Sequence, residues 1–207
     1  MTIADSREPA PNARPLGKVD KRAFFDFAQK QPDQYRYEYV RGRIMQQVSG
    51  GTRRHARIAA RFIEALSKRV DPERWFVLPS DLAVDTGPTI RYADVVVEPF
   101  EGDLADLATR NPAIIVEVLS KSSEDRDLYV KPAEYISIAT LQAYIVASHD
   151  EPLCFLWMKD DTGQFPVDGI ELRGLTTHIA ISLLSSSIPL AEIYAGLIAN
   201  SSEPGDA

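Results

Sequence analysis

Residues 91–119 read RYADVVVEPFEGDLADLATRNPAIIVEVL, and the fold turns on how the two apolar runs in this stretch pair. Val95-Val96-Val97 and Ala113-Ile114-Ile115-Val116 have the length and β-branched content of buried strands. Asp94 stands just before the first run and Glu117 just after the second, so each carboxylate falls at a strand end, where an unpaired charge is costly. If the strands pair antiparallel, the start of one lies beside the end of the other. Asp94 and Glu117 then share one sheet edge, near enough to hold a common divalent cation. Hard carboxylate oxygens suit Mg²⁺ or Mn²⁺, which also contact phosphate oxygens. The residues alone leave a second reading open, in which each acid is a strand-end group satisfied by water or an arginine.

On the N-terminal side, Asp20 is an N-cap for a helix reaching about Gln31, with Phe24, Phe25 and Phe27 as its apolar surface and Pro32 as its stop. Tyr35 to Val40 alternates aromatic with polar, Arg41-Gly42 can turn, and Arg43 to Val48 continues, which predicts a hairpin. Thr52 caps a second helix with Ile58, Ala59, Phe62, Ile63, Leu66 and Val70 on its buried face. Its other face carries Arg53, Arg54, Arg57, Arg61, Lys68 and Arg69, and is either a solvated surface or one that contacts phosphates. His55, in the first turn beside Ile58 and Ala59, is either a packed imidazole or one lining a site. Glu38, among the tyrosines of the hairpin, faces either solvent or that same site.

Further strands are expected at Trp75 to Leu78, Leu82 to Asp85, Arg91 to Glu98, Ala113 to Leu119, Ala143 to Ala147 and Leu153 to Met158. A helix follows the polar segment from Ser120 to Arg126, and Ile188 to Leu197 closes the chain as a short helix. Asp127, Lys131 and Tyr135 recur every fourth residue and would line one face of the intervening helix. Pro132 disfavours helical geometry at the residue before it, so the helix is expected to begin at Pro132 with Lys131 extended at its entrance. The order of elements predicts an α/β or α+β sandwich around a mixed sheet. No glycine-rich phosphate loop appears.

A length of 207 residues with 44% hydrophobic residues suits one substantial core. We expect a flexible leader over 1–19, a single domain over 20–199 and a flexible tail over 200–207. No apolar run approaches the length of a membrane span, so a cytoplasmic protein is expected. The single cysteine, Cys154, excludes an internal disulfide framework and a cysteine-based zinc site, and its apolar neighbours predict a buried thiol. A formal charge of −7 argues against coating nucleic acid by bulk electrostatics but not against a local basic face. His149 and His178 show no spacing with other ligand types and look incidental.

Several groups of residues, in order, carry a resemblance. They are Tyr37-Glu38 with Gly42, Ser49-Gly50-Gly51-Thr52 with His55, Ser80-Asp81-Leu82, Tyr92-Ala93-Asp94-Val95-Val96-Val97, and Asn111-Pro112 leading to Ile115-Val116-Glu117-Val118-Leu119-Ser120. Asp127 with Lys131 and Tyr135, Leu141 to Val146, and Ile188 to Tyr194 complete the set. The chain resembles the PD-(D/E)XK nuclease superfamily, and within it the Uma-two family of restriction-endonuclease-like proteins, over about Tyr37 to Leu197. The resemblance implies a restriction-endonuclease-like mixed central sheet flanked by helices, and a metal-dependent endonuclease acting on DNA, with RNA also open. It implies that Asp94, Glu117 and the Val118 carbonyl bind Mg²⁺ or Mn²⁺, that Lys131 supplies the cation, and that Glu38 and His55 join the same pocket. Arg53, Arg54 and Arg57 would contact the nucleic-acid backbone, and a homo-oligomer, most simply a dimer, is expected.

The sequence departs from the family pattern at three places, and from the wider superfamily's lysine position at Leu119, the family's lysine matching Lys131 on the next helix. Ala93 and Lys121 each replace a usual proline, and Pro132 follows Lys131. The alternative function for the same fold is a degenerate member that binds nucleic acid or protein without cutting.

Overall fold

A computed structural model of the chain describes residues 18–32, 35–48, 51–119 and 126–197. Most of the expected leader, the tail from 200, Ser49, Gly50, Ser120 to Asp125 and the side chain of Asp127 lie outside the described residues. The chain forms two compact units, Met1–Ser49 and Gly50–Ala207.

In the first unit, α1 (Lys21–Ala28) starts where Asp20 accepts the Ala23 N–H at 2.8 Å, the cap its sequence predicted. β1 (Tyr35–Val40) and β2 (Arg43–Val48) pair antiparallel in the register Tyr35↔Val48 to Val40↔Arg43. Both turn residues have positive φ, 49° at Arg41 and 91° at Gly42. That geometry matches the right-handed twist of a two-residue hairpin, and glycine adopts it without strain. Phe24 and Phe27 of α1 lie against Tyr39 and Tyr37 of β1, with ring centroids 5.8 and 5.1 Å apart.

The second unit opens on α2 (Arg53–Ser67), capped as expected by Thr52, whose Oγ1 accepts the His55 N–H. There follow β3 (Trp75–Pro79), β4 (Ala83–Asp85), β5 (Thr89–Arg91), β6 (Val95–Pro99), β7 (Ala108–Thr109) and β8 (Ile114–Val118). A π-helical turn over Arg126–Val130 runs into α3 (Lys131–Tyr135). The remaining elements are β9 (Ala143–Ala147), β10 (Leu153–Met158), β11 (Ile170–Arg173), β12 (His178–Ile179), β13 (Ile188–Pro189) and α4 (Leu190–Ile193).

The central sheet has six strands in the order β11-β10-β9-β8-β6-β3. β8 and β9 are parallel, joined through the α3 segment, and the other neighbours are antiparallel. This is the mixed α+β arrangement the order of elements predicted. Both faces are covered, which is why β6, β8 and β9 read as nearly continuous apolar runs. Val95, Val97, Ile114, Val116 and Val118 pack with Ile58, Phe62 and Leu66 of α2 and with α4. Val96, Ile115, Tyr144 and Val146 pack on the other face with Tyr135, Ile138 and Leu141.

Three expectations are corrected. The single strand predicted over Arg91 to Glu98 is two, β5 and β6, interrupted at Tyr92-Ala93-Asp94. Beyond the last β6–β8 pair, Val95↔Val116, the Asp94 side chain rather than backbone takes the Val118 N–H. The helix predicted over Ile188 to Leu197 begins only at Leu190, because Ile188 and Pro189 pair with His178 and Ile179. Finally, β11 and β12 were not anticipated: Ile170-Glu171-Leu172-Arg173 alternates apolar with polar over only four residues at the sheet edge, and β12 has only two residues.

Candidate metal and nuclease site

β6 and β8 pair antiparallel as Val95↔Val116, Val96↔Ile115 and Val97↔Ile114. Extending that register by one step sets Asp94 opposite Glu117. The two acids therefore stand at one edge of the sheet, as antiparallel pairing required. Alternation along β8 turns Glu117 to the same face as Ile115, toward Tyr135.

Glu117 is 3% exposed, too buried to carry a charge without partners. Two come from α3: Lys131 Nζ donates to Glu117 Oε1 at 2.7 Å, and Tyr135 OH donates to the same oxygen at 3.0 Å. Lys131 and Tyr135 sit one helical turn apart, so one short helix delivers both. Lys131 is thus not extended at the entrance of the helix. It is the first residue of α3, and Pro132 falls in the first turn, a position at which proline's fixed φ suits helical backbone. The chain accommodates the proline by entering through a π-helical turn. Tyr135 as a partner of Glu117 was not singled out from sequence, although its spacing of four from Lys131 was the available signal.

Asp94 is held from two sides. Its Oδ2 accepts the Val118 N–H at 2.7 Å and lies 3.2 Å from His55 Nε2. His55 therefore faces the acid from the first turn of α2 rather than being merely packed. Gly51 explains its aim, since a Cβ at that position would stand 2.7 Å from His55 Nδ1. Any side chain at residue 51 would displace the imidazole. Val118 enters the site through its N–H on Asp94.

The basic face of α2 divides. Arg54 donates to the main-chain carbonyls of His149, Leu197 and Asp150, the last two at 2.7 and 2.9 Å. It clamps the His149–Asp150 loop to the chain at Leu197, a structural task the sequence reading of it as a nucleic-acid contact did not include. Arg69 forks onto Glu192 at 3.1 and 2.7 Å, and Arg61 and Lys68 both pair with Glu64, so acids distant in sequence or on the same face offset much of the expected charge. Arg53 and Arg57 are exposed, and the Arg57 guanidinium passes over Gly196. His149 is not incidental: its ring bonds Thr52 Oγ1 at 3.0 Å and Asp150 Oδ1 at 2.8 Å. The residues of the Thr52 bond are 97 positions apart, so spacing could not have found it.

Glu38 lies in β1 of the first unit, buried and opposite Met45. Cys154 is buried and free, and burial pushes its thiol up to about 12, in keeping with an inert core residue. Among the described residues, no group of three or more His, Cys, Asp and Glu side chains is arranged to hold a metal ion. A cation here would draw on two carboxylates with main-chain oxygen or water, a donor set that suits Mg²⁺, which keeps several waters. Among the described residues the contacts to Asp94 fall on Oδ2, which leaves Oδ1 of a side chain that is 19% exposed for such an ion. No helix among the described residues is long and apolar enough to cross a membrane.

Residues 23–180 match a family, Uma2, described as "Putative restriction endonuclease". An uncharacterized Synechocystis protein, slr1290, is 25% identical over 185 residues, covering 84% of this chain and 95% of its own. A second from the same organism, sll1609, is 28% identical over 114 residues, 53% of this chain and 64% of its own. Among solved structures, one described as a "putative nuclease belonging to DUF820" from Anabaena variabilis superposes with a TM-score of 0.64 at 17% identity, covering 84% of this chain and 98% of that one. That likeness establishes a shared fold.

Proposed function

The chain belongs to the Uma2 family, described as "Putative restriction endonuclease", and from that premise we propose that it is a metal-dependent endonuclease that hydrolyses phosphodiester bonds in DNA. The observation that carries the reading is the shared strand end: Asp94 and Glu117 each stand one residue beyond the last β6–β8 pair, Val95↔Val116, with Lys131 bonded to Glu117. Asp94 and Glu117 would hold Mg²⁺ or Mn²⁺. Bound there, the ion would supply an activated water and offset charge on the phosphate.

The chain's own groups have separate tasks. Lys131 brings a positive charge to the acidic edge, where it counters negative charge developing on a phosphoryl oxygen. Tyr135 fixes the orientation of the Glu117 carboxylate. His55 and the Val118 N–H hold Asp94 Oδ2, which restrains that carboxylate. Arg53 and Arg57, exposed on the first turns of α2, are available to contact the backbone of the nucleic acid.

The test is cleavage of plasmid and oligonucleotide DNA, with an RNA arm, in Mg²⁺, Mn²⁺ or EDTA, beside Asp94→Ala and Glu117→Ala. We expect nicking that needs the metal and both acids. Nicking that survives both substitutions rejects this site, and binding without cleavage in any metal points to the degenerate alternative.

A further inference from the structure

Helix α3 is five residues long and has no side-chain N-cap. It continues from the π-helical turn over Arg126–Val130, and a helical stretch this short is marginal without tertiary support. Its register nevertheless matters, because Lys131 and Tyr135 meet one buried oxygen of Glu117. A third side chain, Glu134, points the helix elsewhere at the same time. Arg91 of β5 grips its carboxylate with both prongs, Nε to Oε2 and Nη2 to Oε1, each at 2.8 Å. Thr89 Oγ1 adds a bond to Oε2 at 3.2 Å. The pair is largely shielded, with the Arg91 side chain 5% and the Glu134 side chain 17% exposed.

The placement along the chain gives this pair its consequence. Arg91 precedes Asp94 by three residues, and Glu134 follows Lys131 by three. One fork therefore ties the segment that delivers the first carboxylate to the helix that delivers the cation. A planar guanidinium fixes both distance and angle at a carboxylate, which a lysine ammonium does not.

We propose that Arg91 and Glu134, assisted by Thr89, form a positioning clamp that keeps Lys131 Nζ on Glu117 and so sets the spacing between the site's cation and its carboxylates. The catalytic consequence rests on the nuclease reading above, whereas the effect on Lys131 does not. Without the fork, α3 can turn about its axis and Lys131 reaches solvent. The charge of Glu134 takes no part in cleavage; its contribution is to the aim of another residue.

Glu134→Gln and Arg91→Lys in the full chain separate these ideas. Brief acylation with an amine-reactive acetyl ester, read by mass spectrometry, reports how often Lys131 is exposed. Alkylation of buried Cys154 reports global opening. In both variants we expect Lys131 to acylate about tenfold faster, the loss expected for one charge-assisted bond, with Lys68 and Lys159 unchanged and Cys154 still protected. On DNA we expect kcat to fall with KM unchanged. Lys131 as protected as in the wild type overturns the clamp, and so does labelling of Cys154 that rises in step with Lys131, which marks simple destabilisation. Arg91→Lys behaving as wild type would show that charge without the fork suffices, and also rejects it. If the wild type never cleaves yet Lys131 responds as expected, the nuclease reading fails and the clamp stands.

Discussion

Replacing Lys131 by methionine tests the core of the site without requiring activity. The Lys131 and Glu117 side chains are 5% and 4% exposed and 2.7 Å apart. Methionine keeps the volume and removes the charge, so Glu117 retains the Tyr135 bond but loses its ammonium partner. Breaking a buried ion pair on one side costs about 3–5 kcal/mol, because the remaining charge stays desolvated. In a chain of this size each kcal/mol moves the melting temperature by about 2–4 °C, so Lys131→Met should melt roughly 6–20 °C lower. Lys131→Met combined with Glu117→Gln removes both charges, and replacing a buried pair is often close to neutral. The double variant should therefore recover most of the loss. Calorimetry on the wild type, both singles and the double closes a double-mutant cycle whose coupling should reach about 3 kcal/mol or more, since the double regains what each single loses. A single variant within about 2 °C of wild type, or a double variant no more stable than Lys131→Met, would refute the buried pair.

Gly51→Ala should crowd His55, since the new Cβ would meet Nδ1 at 2.7 Å; we expect a loss of about 1–3 kcal/mol and a shifted His55 imidazole resonance, and an unmoved resonance would count against this contact. Arg54→Ala should destabilise the protein by about 1.5–3 kcal/mol in urea, because three carbonyls lose a charged donor, while Arg53→Ala and Arg57→Ala should stay within about 0.5 kcal/mol yet flatten the salt dependence of DNA binding. The Arg69 fork holds the Glu192 carboxyl below its ordinary value of 4.5, so its stabilisation is present above about pH 4.5 and lost as pH falls below that. Glu192→Gln should accordingly cost about 1 kcal/mol at pH 7 and progressively less as the pH falls below 4.5 in urea titrations, and a deficit that does not shrink with falling pH would contradict the assignment.

Much of the scaffold was legible residue by residue. Thr52 announces α2 because an N-cap needs only its own side chain and the next turn. Arg41-Gly42 announces the hairpin because two residues set the turn. Val95 to Val97 and Ile114 to Val118 are visible as central strands because both faces are covered, so every position is apolar except Glu117. The short edge strand β11, with three of four residues exposed, offers no such pattern. The break at Tyr92-Ala93-Asp94 was hidden because a side chain, not local propensity, ends the ladder there.

The sequence by itself determined that two carboxylates stand at strand ends and that a lysine and a tyrosine share one helical face, since strand alternation and helix periodicity are local properties of the backbone. Which charges meet was decided by tertiary structure. Lys131 reaches Glu117 across 14 residues, Asp94 captures an N–H 24 residues on, and Arg91 grips Glu134 across 43. Each of these contacts exists because folding removed the groups from water, and buried charge is tolerated only where a partner stands within hydrogen-bond distance. The same physics reassigned the arginines of α2: Arg54 turned inward to three carbonyls, while Arg53 and Arg57 stayed in solvent, a division no periodicity in the sequence encodes.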